Sequence, residues 1–288
     1  MTRSVSVILP VRDGAGAIGE QLAGLSRQEY GGPWEVVVVD DGSTDGTPEV
    51  VAGWRERLPG LRLIVESGLA SSSLARNSGC RASDGELLLF CDHDDVVAPG
   101  WIAALARGLE TYPAVGGFVE RMKLNSGAAV AARPQRPGLL DGGFGFLPYQ
   151  LTANCGVRRE VWAALDGFDP RYDHGSSDVE FFWRAQLRGY ELGYVPDAVV
   201  HYRLRSRLGA MASQYYGYGA SHALLYRDFG QYGMPRSGPA SAARGWWRLV
   251  AQAPGAALDR RSRAMWLTQA AMRGGRLVGS LRHHVIYL

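Results

Sequence analysis

Short apolar runs alternate with stretches of helical spacing through the first 205 or so residues, and helical spacing alone then continues to the end of the chain. Val5 to Leu9 is a compact run broken by Pro10-Val11-Arg12-Asp13-Gly14, after which Ile18, Leu22 and Leu25 share one helical face. Val36 to Val39 is a β-branched run suited to a central parallel strand, and it stops at Asp40-Asp41-Gly42-Ser43-Thr44-Asp45-Gly46. Thr47 is placed to cap the next helix, with Pro48 at its first position and Glu49 in its first turn; Val50, Trp54 and Leu58 extend it. Leu61 to Val65 predicts a third strand, and Leu74 to Asn77 a helix reached through Ser71 to Ser73. Leu87 to Phe90 then runs unbroken into Cys91, the pattern of a strand buried on both faces. Ile102, Leu105, Ala106 and Leu109 predict the helix that follows.

Residues 113 to 153 are rich in Gly and Pro and predict a long loop region with one strand near Val115 to Val119. Asn154 to Val157 leads into a helix holding Val161, Trp162 and Leu165, and a second helix is expected from about Asp178 to Arg188, ended by Gly189. Tyr190 to Tyr194 and Val199 to Tyr202 read as two short strands. Beyond residue 206 the spacing predicts short helices over Met211 to Phe229, Ala242 to Gln252 and Arg261 to Val278. The expected architecture is an α/β domain, residues 1–205, with a mostly parallel sheet flanked by helices, followed by a helical C-terminal appendage, 206–288.

The acids gather where one strand ends: Asp92, Asp94 and Asp95 follow the Leu87 to Cys91 run. Carboxyl ends of strands are where open α/β sheets place their ligands. Asp92 and Asp94 point the same way in an extended chain and raise each other's cost of ionising unless a cation intervenes. A solvated turn and a cation or diphosphate site both fit that pattern. Composition narrows the class: 46% hydrophobic and 20% charged residues suit a globular core. The formal charge is +3, yet from His201 onward the acids are Asp228 and Asp259 alone. Lys123 is the single lysine, so the arginine abundance reads as a compositional habit rather than a nucleic-acid footprint, and no nucleic-acid partner is expected. Cys80, Cys91 and Cys155 lack metal-ligand spacing and suit reduced thiols in the cytoplasm. No apolar run reaches membrane-spanning length, and VSVILP is too short for a signal peptide.

Taken in order, VSVILPVRDG, VVVVDDGSTDGT, ARNSGC, LLLFCDHDD, NCGV, GFDP, SDVEFFWR and VVHYR resemble the inverting, nucleotide-sugar-dependent glycosyltransferases of family two, with the GT-A (Rossmann-like) fold. The resemblance covers about residues 4–205, with a nucleotide-sugar half to about residue 100 and an acceptor half beyond it. It implies a hexosyltransferase-type enzyme that moves sugar from a nucleoside-diphosphate sugar to an acceptor hydroxyl with Mn²⁺ or Mg²⁺. The acceptor would be a glycan, a lipid-linked sugar or a small molecule. Asp92-His93-Asp94 matches the DxD motif, with Asp94 on the cation, Asp92 on the ribose or in the metal shell, and His93 a spacer pointing away. Asp41 matches the base-reading residue, with capping of its own turn the alternative. Pro10, Arg12 and Asp13 would line the first loop of the same pocket, and Arg76 would face a phosphate or form a surface ion pair. Asn154 to Gly156 matches the segment that approaches the donor sugar.

Asp178 falls at the position of the catalytic base, where the family often has Glu-Asp and this chain has Ser177-Asp178. Ser177 is a plausible helix N-cap, and the helix dipole would keep Asp178 ionised but weakly basic unless the site desolvates it. Glu180 would orient the acceptor or Arg184, and His174 would touch a lid or the acceptor. His201 would complete the metal shell or serve as a buried structural histidine. Trp246, Trp247 and Arg248 suggest peripheral contact with the inner face of a membrane, or helices packed on the domain or on a second subunit in a homo-oligomer. Two other readings compete: a non-catalytic sugar-nucleotide-binding protein, and a sugar nucleotidyltransferase, which VRDGAGA disfavours because it lacks the expected Arg and Lys.

Overall fold

The computed structural model describes residues 2–58, 60–125, 135, 137–173 and 175–288. One eight-stranded sheet forms the centre. Its first half is β1 (Val5–Val11), β2 (Trp34–Asp40), β3 (Leu61–Val65) and β4 (Leu87–Cys91), ordered β3-β2-β1-β4 and parallel throughout. The second half adds β7 (Asn154–Arg158), β6 (Ala114–Glu120), β8 (Leu192–His201) and β5 (Val96–Val97) in that spatial order beyond β4. There β4–β7, β6–β7 and β5–β8 are antiparallel, and only β6–β8 is parallel. The fold is therefore mixed α/β, with the expected parallel sheet confined largely to its first half.

The apolar runs of β1, β2 and β4 are buried on both faces because side chains alternate across the sheet, while the edge strand β3 leaves Arg62 and Val65 exposed. Val5, Val7, Leu9 and Val11 of β1 pack with α1 (Ile18–Leu25) and, on the same face, with α4 (Trp101–Thr111). Ile8, Val37, Leu88 and Phe90 face the other way, toward α3 (Ser72–Arg81), α5 (Arg159–Ala164) and α6 (Ser177–Leu187). Each such side chain contributes roughly 1.5–3 kcal/mol on full burial, so these two layers fix the strand ends that carry the acids.

Local departures have physical causes. The helix after the second strand, α2 (Thr47–Ala52), is short and starts from Gly46 at φ 86°. Thr47 does not cap it: its hydroxyl accepts from Gly14 N at 2.9 Å and donates to Asp45. The two expected strands after residue 190 are one, β8, with a register break where Gly117 pairs with Val195 and Phe118 with Val199. Pro196 lies in that break, where it owes the ladder no N–H. Beyond residue 206, α7 (Leu208–Phe229) and α9 (Arg260–Arg282) lie close to their expected ranges, and α8 (Pro239–Leu258) is about twice as long as expected. Helices α7 and α9 touch through backbone. A Cβ on Gly219 would sit 2.0 Å from the Met272 carbonyl oxygen, and one on Gly275 2.1 Å from that of Tyr216. Helices joined by small residues leave little hydrophobic periodicity to read. Phe144, Tyr172, Val179 and Trp183 bind this region to the sheet domain by packing on Ala223, Leu225 and Phe229 of α7.

Candidate active site

Parallel pairing aligns Val11 with Asp40 and Ile8 with Phe90, so β1, β2 and β4 end together and deliver Arg12, Asp41 and Asp92 to one edge. They line a cleft of about 410 Å³ with Pro10, Ala70, Ser71, Ser72, Arg76, His93, Asp94 and Arg205. Ser71 caps α3 by accepting from Leu74 N at 3.0 Å, which aims that helix's amino end at the cleft. Asp41 is buried, accepts from Leu69 N at 2.9 Å and lies 3.6 Å from the Arg12 guanidinium. Its own turn is capped instead by Asp40, which accepts from Ser43 N at 3.0 Å. Asp13 stands outside the cleft lining, with its backbone at φ 50° and its carboxylate accepting from Thr44 N at 2.9 Å. It clasps the first loop to the second.

Arg76 is 5% exposed, and its Nη2 donates to Asp92 at 2.8 Å. Its Nε is buried with no hydrogen-bond partner among the described residues. Asp94 has its pKa raised, first by burial and then by the charge of Asp92, with His93 and Arg205 pulling the other way. Asp95 is raised well above its ordinary value by burial and by Asp92 and Asp94; it accepts from Arg203 N at 2.7 Å, and its Oδ2 has no partner among the described residues. Burial and the mutual repulsion of three neighbouring carboxylates thus outweigh the arginines around this turn. No group of three His, Cys, Asp or Glu among the described residues could hold a metal ion. Two carboxylates completed by substrate phosphate oxygens nonetheless suit a hard divalent cation, so the residues fit one. His93 also lines the cleft, and its ring packs against Gly14, where a Cβ would come within 2.6 Å of it.

Asp178 lines a second cavity of about 700 Å³, walled by Arg121, Leu140, Phe144, Tyr149, Tyr202, Tyr215, Tyr218, His222 and Met272. It sits in the first turn of α6, whose N-cap is Ser176 at φ 71°, not Ser177. Ser176 is held there by a hydroxyl pair with Ser221 of α7 at 2.9 Å. Asp178 is half-buried, and the surrounding protein pushes its pKa up to about 6. The Val179 N–H, donating at 2.8 Å, and the Arg76 charge hold it down, while the Asp92 charge raises it. Desolvation thus outweighs the helix dipole, and the carboxylate gains basicity.

Other expected site residues lie elsewhere. Glu180 is buried and forked with Arg184, at 2.6 and 2.8 Å, and Arg184 also donates to the Gly167 carbonyl at 2.9 Å. Asn154 is fully buried; it accepts from Trp101 Nε1 at 2.8 Å and donates to the Phe118 and Ala198 carbonyls, each at 2.9 Å. Its carboxamide joins β7, β6 and β8 and has no reach left for a donor sugar. Gly156 lies under Leu89, 2.6 Å from where its Cβ would be. His201 is not in the lining of the Asp92–Asp94 cleft. Lys123 Nζ donates to its Nε2 at 3.1 Å, which leaves Nδ1 to donate to Glu120 at 2.9 Å. His174 lies outside the described residues. Arg205 escaped the sequence reading; its signal is the alternation Arg203, Arg205, which points both toward one side of an extended chain.

This geometry, strand ends meeting an acidic turn on a mixed sheet, is that of the GT-A type of α/β fold. Residues 6–163 match Glycosyl transferase family 2, and the chain belongs to that family. It is 31% identical over 202 residues to Glycosyltransferase AglE of Haloferax volcanii, a match spanning 68% of this chain and 65% of that one. It is 25% identical over 254 residues to the N-acetylglucosaminyl-diphospho-decaprenol L-rhamnosyltransferase of Mycobacterium tuberculosis, covering 75% and 78%. Among solved structures, a mannosyltransferase of Pyrobaculum calidifontis in complex with GDP-Man and Mn²⁺ superposes with TM-score 0.67 at 22% identity, over 97% of this chain and 87% of that one.

Proposed function

We propose that this chain is an inverting glycosyltransferase that takes its sugar from a nucleoside diphosphate in the Asp92–Asp94 cleft and delivers it to a hydroxyl held beside Asp178. One observation carries the reading: a crowded acidic turn tied to a buried arginine lies close enough to Asp178 for both Arg76 and Asp92 to influence its proton affinity. The names of the relatives, a mannosyltransferase seen with GDP-Man and a rhamnosyltransferase acting on a diphospho-decaprenol-linked sugar, support the donor class and an isoprenoid-linked acceptor.

In this reading Asp41 and Arg12 meet the nucleoside, and Arg76 and Arg205, which both line the cleft, face the diphosphate. Asp94, with Asp92, would hold Mn²⁺ or Mg²⁺. When bound, such a cation offsets the charge that develops on the leaving diphosphate. Asp178 accepts the proton of the acceptor hydroxyl as that oxygen bonds to the anomeric carbon. The bond from that carbon to the diphosphate oxygen breaks on the opposite face, so an α-linked D-sugar donor yields a β-linked product. Asp178 then returns its proton to solvent. Asp95 braces the turn through Arg203, and His201 stays engaged with Glu120 and Lys123.

A panel of sugar nucleotides tested for thermal stabilisation with and without Mn²⁺ checks the donor half, because ligand bound to the folded state raises its melting temperature by mass action. Transfer of labelled sugar from the stabilising donor to isoprenoid-linked and free glycans checks the rest. Stabilisation without turnover on any acceptor would favour a binding protein. No stabilisation by any sugar nucleotide would overturn the proposal.

A further inference from the structure

Among the described residues, nothing covers the outer face of α8. This helix touches the molecule along a narrow stripe: Gly245, Leu249 and Ala256 are buried, and Trp266 of α9 donates to the Leu249 carbonyl at 2.8 Å. Trp247, Val250, Pro254 and Leu258 follow one another at spacings of three or four, so they share the opposite face. That face is open: Trp247 is 72% exposed, Val250 66% and Leu258 88%. Soluble proteins seldom leave such a stripe uncovered without a use for it. Arg244 and Arg248 flank it, both exposed, and α8 contains no acid. Around it, residues 206–288 hold eleven arginines against Asp228 and Asp259.

We infer that α8 lies along the surface of an anionic lipid bilayer, with Trp247, Val250 and Leu258 in the headgroup layer and Arg244 and Arg248 on the lipid phosphates. An apolar stripe bordered by arginine is the signature of a helix that rests in the interface. It does not span: no helix among the described residues is long and apolar enough to cross a membrane. A second copy of the chain is the poorer occupant, because a two-fold contact would set one arginine-rich surface against another. The inference is independent of the reaction proposed above.

Co-sedimentation with phosphatidylcholine vesicles, with and without phosphatidylglycerol, tests it. Binding is expected only with phosphatidylglycerol and should weaken as salt rises. Arg244→Gln with Arg248→Gln should lower the partition coefficient roughly 25-fold, about fivefold for each charge near the surface. Trp247→Ser with Leu258→Ser should lower it at least about tenfold while the melting temperature holds, since both side chains are exposed. Lipids brominated in their acyl chains should quench wild-type fluorescence more than that of Trp247→Phe, a readout that needs no destabilising change. Absence of binding to phosphatidylglycerol vesicles at low salt overturns the inference. So does unchanged binding by both double variants, or a solution dimer that Trp247→Ser with Leu258→Ser dissolves.

Discussion

The cleft at the ends of β1, β2 and β4 gathers Arg12, Asp41, Arg76, Asp92, Asp94 and Arg205, whereas the cavity over α6 sets Asp178 among four tyrosines, Phe144 and three leucines, with Arg121, Asp141 and His222 also on its wall. In both places a carboxylate is less acidic than in water, but for different reasons. Asp94 is raised by burial together with the neighbouring charge of Asp92; Asp178 is raised by burial above all. An added cation relieves the first situation and does little for the second. Proton concentration acts on the second within the neutral range. The first cavity should therefore respond mainly to metal and the second mainly to pH, with the charges of Arg76 and Asp92 as a lesser link between them.

The hardest test of that separation is Asp178→Asn. Asparagine keeps the size but cannot take a proton, so kcat for transfer should fall about 10²–10⁴-fold. Nucleoside-diphosphate affinity, measured by calorimetry, should stay unchanged. A folded variant that keeps more than about a tenth of wild-type transfer would move the base elsewhere. Asp94→Ala should do the reverse, weakening Mn²⁺-dependent nucleotide binding by about a hundredfold, near 2.8 kcal/mol. If the metal effect survives in a folded Asp94→Ala protein, the acidic turn is not the cation's seat.

Acidity separates the cavities next. Transfer measured as kcat/KM should drop about tenfold per unit below about pH 6 and level off above it, because Asp178 must be ionised to act. Stability carries the opposite sign. The folded state holds this proton more tightly than the unfolded chain does, so Asp178 costs stability progressively as pH rises from about 4 through about 6. Asp178→Asn should thus gain roughly 1–3 kcal/mol over wild type at pH 8 relative to pH 4, read from denaturant melts at the two pH values. An equal difference at both would show that the carboxylate is not desolvated. The smallest effect expected is from Tyr218→Ala, which removes an aromatic wall: acceptor KM should rise about fivefold with donor KM unchanged.

The same contrast separates what the sequence made legible from what it hid. Runs such as Val36 to Val39 and Leu87 to Cys91 announce strands because both faces are buried, and the acids beyond them then fall at the cleft without further information. The cavity over α6 is assembled from segments far apart in the chain, including Tyr149, Asp178, Tyr218 and Met272, and no local pattern signals that meeting. Asn154 misled for a related reason: its partners at Trp101, Phe118 and Ala198 are distant in sequence, and a lone asparagine shows no trace of them. The ranges of α7 and α9 were nearly legible, whereas α8 runs past the expected Gln252 to Leu258, through Pro254 and Gly255, residues that read as a helix end. The basicity of Asp178 depended on desolvation, which the sequence posed as a condition and the packing supplied.

Arg203 gives the molecule a constraint on its inheritance. Its backbone N–H donates to Asp95 at 2.7 Å, its Nε to the Asp94 carbonyl at 2.8 Å, and its Nη2 to Glu20 of α1 at 2.8 Å. The chain therefore returns to fasten the acidic turn only a few residues before α7 begins. A recombination event that replaced everything after residue 200 would remove that fastening and leave Asp95 with even less to offset its charge. A crossover just after Arg205 would keep it and exchange only the helices that wall the cavity beside Asp178. On the function proposed above, such an exchange would alter the acceptor wall and leave the nucleotide cleft intact.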